Sequence, residues 1–227
     1  MKNATILYYS SCQEDPNFEN RIIENLLKVK GDLPIISITQ KPMELGYNIC
    51  VGDVGVSGFN MFRQVQIGLK EVKTEFVISA EADCLYPEDY FTYRPPTNDK
   101  CYRNSNLYVM PDRRDYFFHK GGGATHAQII GKEFYLDRLN YLFKGAPEWS
   151  VTEKNFPKER HKRQDIFEES DIIRYRTENP VFQVKTHRGM RCYTSSDRTP
   201  ILSIPYWGDG KPLREFLIKG VDYEKPF

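Results

Sequence analysis

An α/β fold is what this sequence predicts, and three observations carry the prediction. Residues 4–11 (ATILYYSS) read as a strand, Phe18, Ile22, Ile23, Leu26 and Leu27 repeat at helical spacing, and 34–39 (PIISIT) read as a second short strand. That β-α-β order implies a parallel pair joined by a right-handed crossover. Further on, 76–86 (FVISAEADCLY) combines an apolar run with the β-branched Val77 and Ile78 of a buried strand, and ends in two carboxylates, Glu81 and Asp83. Composition agrees: with 28% charged and 40% apolar residues the chain is ordinary for a globular protein, and 227 residues suffice to bury one full core.

The same numbers argue against several classes. A formal net charge of +1 gives no global electrostatic case for nucleic acid or a membrane as partner, although a local basic face stays open. No early apolar stretch is long enough for a signal peptide or membrane span, since 6–9 is of strand length and Gln13, Glu14 and Asp15 soon follow; a cytoplasmic protein without a membrane span is expected. Five cysteines (Cys12, Cys50, Cys84, Cys101, Cys192), odd in number and without a C-x-x-C pair, argue against both a disulfide framework and a structural zinc site. Alternation along an extended chain would put Cys84 on the face opposite Asp83, where it reads as core.

In chain order, the first strand enters a polar loop at 10–17, and Gly31 closes the first helix. Residues 46–58 (GYNICVGDVGVSG) read as a Gly-rich loop leading into a helix over 59–72, with Met61, Phe62, Val65, Leu69 and Val72 on its apolar face. Backbone amides at a helix start attract phosphate, although a flexible connection explains the loop equally well. The spacing matches neither the dinucleotide G-x-G-x-x-G fingerprint nor the P-loop. Asn60 and Arg63, if turned toward the strand ends, would meet a diphosphate or a base; otherwise they are surface residues.

After the central strand comes a turn, Tyr86-Pro87-Glu88-Asp89; 91–100 is irregular and 106–110 (NLYVM) is another strand. Gly121, Gly122 and Gly123 let the backbone pass close to something bulky such as a sugar, or make a hinge. Residues 127–131 are apolar, and 132–143 (KEFYLDRLNYLF) form an amphipathic helix ended by Gly145 and Pro147. The basic run 154–163 (KNFPKERHKR) is a solvated loop or a contact to the phosphates of a large acceptor such as DNA. Gln164 and Asp165 open a short helix (IFEESDIIRY) with Asp165 at its N-cap. The strand 181–185 (VFQVK) delivers Thr186, His187, Arg188 and Gly189, and a helix near 213–218 lies in the closing tail.

Two carboxylates at the carboxyl end of a central strand sit where open α/β sheets bind ligands, and hard oxygen donors there suit Mg²⁺ or Mn²⁺ touching a substrate phosphate. A solvated acidic turn is the plain alternative. His187 after a late strand reads as a hydrogen-bonded surface residue or as a third ligand.

Together these stretches resemble the GT-A glycosyltransferases, nucleotide-sugar-dependent enzymes with a Rossmann-like domain. Glu81-Ala82-Asp83 resembles their acidic D-x-D type motif, GVSGFNMFRQVQIGLKEV their donor-binding segment, GGGATHAQIIGKEFYLDRL the Gly-rich turn before their acceptor-side helix, Gln164-Asp165 the acidic helix start that supplies a base, and His187 their late metal-binding histidine. The resemblance spans residues 5 to about 191. It departs from the pattern where Glu81 replaces the first Asp and where Gln164 replaces an acidic residue.

The resemblance implies a single GT-A domain over 1–227, with a mixed central sheet flanked by helices. Its nucleotide-sugar-binding half would be 1–90, its acceptor-side half 91–193 and its C-terminal tail 194–227. It implies transfer of a sugar from a nucleoside-diphosphate sugar, UDP favoured, to an acceptor hydroxyl of a glycan, a small sugar or a hydroxymethylated base in phage-type DNA. Mn²⁺ or Mg²⁺ would be held by Asp83 and His187, and Asp165 would act as general base, with Glu168 and Glu169 as rivals. Tyr9, Ser10, Ser11, Thr39, Gln40, Asn60, Arg63, Glu81 and Arg188 would bind the donor. A nucleotidyltransferase acting on a sugar phosphate and a non-catalytic nucleotide-binding module stay open as alternatives.

Overall fold

Residues 3–152, 166–186, 188 and 199–222 are described by the computed structural model. The chain opens as expected, with β1 (Ala4–Ser10), α1 (Pro16–Val29) and β2 (Ile35–Thr39) forming a β-α-β unit in which Ile6 faces Ile35 in parallel register. Asp15 caps α1 by accepting hydrogen bonds from the amides of Asn17 and Phe18, and Pro16 occupies the first turn, where a missing N–H costs nothing.

Next come β3 (Tyr47–Cys50), α2 (Gly58–Glu71) and β4 (Phe76–Glu81). The sequence shows β3 only as part of a loop. It is a partly exposed edge strand of four residues, too short and too polar to announce itself by periodicity. The central run is also broken: β4 stops at Glu81, Ala82 and Asp83 turn, and β5 (Cys84–Leu85) joins a different sheet. Then follow α3 (Glu88–Thr92), β6 (Cys101–Asn104), β7 (Leu107–Pro111), β8 (Phe118–His119), β9 (Gln128–Gly131) and α4 (Lys132–Phe143).

The helix expected over 166–175 is not there. Ile166 and Phe167 pack against α4, with Phe167 stacked on Phe134; a 3-10 turn follows at Glu169–Asp171, and β10 (Ile172–Tyr175) then pairs with β6. A capping box between Glu168 and Asp171 and the β-branched Ile172 and Ile173 favour that turn and strand over a continuing helix. The described chain closes with β11 (Val181–Lys185), a small hairpin of β12 (Ser203–Ile204) and β13 (Gly208–Asp209), α5 (Gly210–Arg214) and one π-helical turn (Glu215–Lys219).

The main sheet has the order β10-β6-β9-β4-β1-β2-β3, and it is mixed: β4, β1, β2 and β3 are parallel, while β9 runs against both β4 and β6. Every residue of β1 is buried, because helices cover both faces. On one face Leu7, Ile38 and Val77 meet Phe62, Val65 and Leu69 of α2 and Leu139 and Leu142 of α4. On the other, Ile6, Tyr8 and Ile78 meet Leu26 and Val29 of α1 and Tyr90 and Phe91 of α3. The first turns of α1 turn instead toward the second sheet, β5-β11-β7-β8, where Phe18 and Ile22 join Phe182, Trp207 and Leu217. The described part of the tail, which the sequence left unplaced, thus covers the second sheet. Trp207 is wholly buried and donates its indole N–H to the carbonyl of Pro180. The expected mixed sheet flanked by helices is the architecture found, and among the described residues no helix is long and apolar enough to cross a membrane.

Candidate active site

Parallel order brings the carboxyl ends of β1, β2 and β4 to one edge, and an open cleft lies outside them. Tyr9, Ser10 and Ser11 from β1 and its loop, Gln40 after β2, and Glu81 and Asp83 after β4 all line it. The two carboxylates share the cleft, but not through the alternation of an extended strand. Glu81 ends the strand, and the Ala82–Asp83 turn swings Asp83 round to the same cleft. The turn is built on the hydroxyl of Tyr86, which accepts the Glu81 amide at 3.0 Å and donates to the carbonyl of His126 at 2.8 Å. It also bears on Cys84, which is core as expected but does not face away from Asp83. The thiol lies beside Asp83, donating to Oδ1 at 3.2 Å, as well as being fully buried in the core.

Each acidic group has distinct support. Tyr9 donates its hydroxyl to Glu81 Oε1 at 2.8 Å. Burial, followed by the charge of Asp83, pushes the Glu81 carboxyl up to about 7. Asp83 accepts both of its contacts with Gln183 of β11 from one amide nitrogen, at 2.9 and 3.1 Å, so the second sheet aims the carboxylate of the first. A third carboxylate, Glu14, went unremarked in the sequence except as an interruption of apolar residues. Its Oε1 accepts the Thr186 hydroxyl at 2.8 Å, while the buried Oε2 has no hydrogen-bond partner among the described residues. Burial is the main reason that its carboxyl is also pushed up to about 7. Gln40 is similar: Nε2 donates to the carbonyl of Gly55 at 2.9 Å, but Oε1 is buried and unpartnered. Both unpartnered oxygens belong to side chains that line the one cleft.

Gln64 on α2, also missed, donates to the carbonyls of both Ser10 and Ile38 at 3.0 Å and so ties the ends of β1 and β2 together beneath the cleft. Its only sequence signal was a polar residue on the apolar face of a helix.

Two residues expected at the donor are held elsewhere. Asn60 clamps the Gly-rich loop, donating to the carbonyls of Val54 and Gly55 and accepting from the Ser150 amide at 2.8 Å. Arg63 lies over the Phe143 ring at 3.7 Å and donates to the carbonyls of Pro147 and Glu148 and to Gln66. Both positions lie one turn into α2 on the side facing the segment after α4, not the strand ends. Arg188 is about half exposed and pairs with Asp15 at 3.6 Å; its charge acts on Glu14, placing it toward the cleft rim. Asp165, His187 and the basic run 154–163 lie outside the described residues.

What the arrangement offers chemically is a cleft with three carboxylates on hard oxygen atoms, neutral hydroxyls and amides around them, and the helix α2 opening at its edge with Ser57 as cap. No family model matches the sequence, and no curated protein matches it. Solved structures with a similar chain course include glycosyltransferase structures. TarS from S. aureus aligns with a TM-score of 0.46 at 10% identity, over 81% of this chain and 37% of that one. TarS 1–349 in complex with UDP-GlcNAc aligns at 0.45 and 10%, over 86% and 62%. A glycosyltransferase involved in the glycosylation of the major capsid of PBCV-1 aligns at 0.45 and 11%, over 79% and 92%. The chain thus spans between about a third and two-thirds of the TarS structures' length. At such identity and scores the likeness concerns the course of the chain, and no residue's role is taken from it.

Proposed function

We propose that the protein is a glycosyltransferase that takes a nucleoside-diphosphate sugar, UDP-linked, in the cleft at the ends of β1, β2 and β4. The observation that carries this reading is the cleft itself: Glu81 and Asp83 converge with Glu14 at the carboxyl edge of a parallel sheet, opposite the unpartnered acceptor of Gln40. A nucleotide brings what these groups lack, since its base N–H and ribose hydroxyls are donors for buried acceptors, and a diphosphate travels with a divalent cation that the carboxylates attract.

The donor set fits Mg²⁺ or Mn²⁺. Carboxylate oxygens are hard ligands; burial first and the charge of Asp83 next raise Glu81, and a cation offsets both. Asp83, with His187 beyond the described residues, would hold that ion. When bound, the ion supplies neutralisation of charge on the leaving diphosphate. The chain's own residues do the rest: Gln183 fixes the Asp83 carboxylate, Tyr9 fixes Glu81, and Gln64 fixes the strand ends that carry Ser10 and Gln40. Asp165 takes the proton of the attacking hydroxyl, and the half from residue 91 to 193 receives the acceptor.

The test is turnover of UDP-sugars by the purified protein with Mn²⁺, read as UDP release. UDP released from one sugar and lost in Asp83→Asn supports the reading. Pyrophosphate released from a nucleoside triphosphate would overturn it in favour of nucleotidyl transfer. For the acceptor, DNA carrying hydroxymethylated bases is compared with free sugars, and binding through the basic run would weaken steeply with salt.

A further inference from the structure

The geometry points to a second metal site, distinct in chemistry from the cleft: Glu81, Cys84 and His126 form a zinc-type site under the floor of the cleft. One ligand atom from each, a carboxylate oxygen, the thiol sulfur and an imidazole nitrogen, lies within 4.8 Å of the other two. Contraction of the order of 1 Å brings such a set to tetrahedral zinc distances of about 2.0–2.3 Å.

Independent observations support the assignment. His126 is 4% exposed, and among the described residues its buried Nε2 has no hydrogen-bond partner, an orphan that a core histidine does not ordinarily carry. Its imidazole is neutral, the ligand form, because burial first and the charges of Lys120 and Lys185 next push its pKa far down. The backbones of Glu81 and His126 are already held together by the Tyr86 hydroxyl, which bonds to both. Tyr9 engages Oε1 of Glu81, and a carboxylate has a second oxygen to offer.

Charge balance closes. The metal displaces the thiol proton of Cys84, and the proton held by Glu81 where that acid is protonated, to solvent and forms metal–sulfur and metal–oxygen bonds, so a dication with one carboxylate, one thiolate and one neutral imidazole is neutral overall, as a site buried at Cys84 and His126 requires. Sulfur and nitrogen ligands select zinc over Mg²⁺ or Mn²⁺, and Glu81 is the residue the buried site shares with the cleft. Losing the Cys84 proton also removes the thiol's hydrogen bond to Asp83 Oδ1. Loading the buried site therefore frees one acceptor of the cleft carboxylate. The sequence argued against structural zinc because no cysteines are paired at close spacing; the fold instead recruits residues 81, 84 and 126 across β4, β5 and the loop before β9.

Cobalt and zinc titrations of the full chain, stripped of metal beforehand, test this. One equivalent of Co²⁺ is expected to give a thiolate-to-cobalt charge-transfer band in the near ultraviolet. Cys84→Ser should lose the band, and His126→Gln should weaken zinc at least about 10-fold, while Cys50→Ser, at an exposed cysteine, should keep both. No band in the unaltered protein, or a band that persists in Cys84→Ser, overturns the assignment. Should a variant fail to fold, X-ray absorption of the zinc-loaded unaltered protein decides. One sulfur at about 2.3 Å with nitrogen and oxygen neighbours supports the site, and a shell without sulfur refutes it. None of these readouts requires sugar transfer, so the zinc site and the transferase reading stand or fall separately.

Discussion

Glu14 shows most clearly how a single side chain here is held for something outside itself. Among the described residues its Oε2 lacks a partner; burial above all, then the like charges of Asp83 and Glu19, disfavour the carboxylate, and the Thr186 hydrogen bond and the charge of Arg188 only partly offset them. The folded protein therefore prefers the protonated acid, with a pKa of about 7 against an ordinary value of 4.5. The unfolded chain ionises first as pH rises from the lower value, so stability declines between them and the penalty is complete above about 7. Glu14→Gln should melt higher than the unaltered protein at pH 8 and together with it at pH 4, by thermal unfolding; equal melting at both would remove Glu14 from the cleft's electrostatics. Gln183 makes the complementary case for Asp83. It touches no expected ligand, yet it donates to both carboxylate oxygens. Gln183→Ala should weaken Mn²⁺ by about 10–100-fold with little change in melting, as loss of a positioning partner does.

Among elements, α2 packs on β1 and β2, and Gly68 is a point of close approach. A Cβ there would stand 2.3 Å from Ile38 Cδ1 and 2.6 Å from Leu7 Cδ1. Gly68→Ala should cost about 1–3 kcal/mol through overpacking, against the usual gain of replacing a helical glycine. Denaturant unfolding measures it. The opposite end of the same helix separates structure from binding. Arg63→Gln loses the stacking on Phe143 and the carbonyl contacts at 147 and 148, so it should lower stability by about 1–2 kcal/mol and leave UDP affinity unchanged, contrary to the donor role its sequence position suggested.

This helix also shows what could be read in advance. Its apolar positions, Gly-rich approach and start near residue 58 were legible because they are local. The direction of Arg63 and Asn60 was not, because it depends on the segment after α4, some 85 residues further on. The same holds elsewhere. β1, α1, β2 and α4 carry clear periodicity and are found where expected, whereas β3, β6 and β10 are four-residue strands whose identity comes from their neighbours in the sheet. Residues 172–175 have apolar residues enough for a helix, and pairing with β6 decides otherwise. Glu81 and Asp83 were visible as a pair, but Glu14, Gln64 and Gln183 join their cleft only through tertiary folding.

At the scale of the molecule, two sheets share one purpose. The main sheet supplies Tyr9, Gln40 and Glu81 from its strand ends, the second supplies Gln183 and, through Thr186, the partner of Glu14, and α1 with the tail locks one against the other. A nucleotide-sugar in the cleft should therefore stabilise the whole fold by mass action, by about 2.7 kcal/mol at a hundredfold excess over its dissociation constant, which for a chain of this length raises melting by several degrees. The most direct measurement is thermal unfolding in the presence of nucleotide sugars, with and without Mn²⁺, for the unaltered protein and for Asp83→Ala. A UDP-linked sugar is expected to stabilise the unaltered protein when Mn²⁺ is present and to lose that effect in the variant. Stabilisation of equal size in Asp83→Ala without metal, or none from any nucleotide sugar, would contradict the proposal.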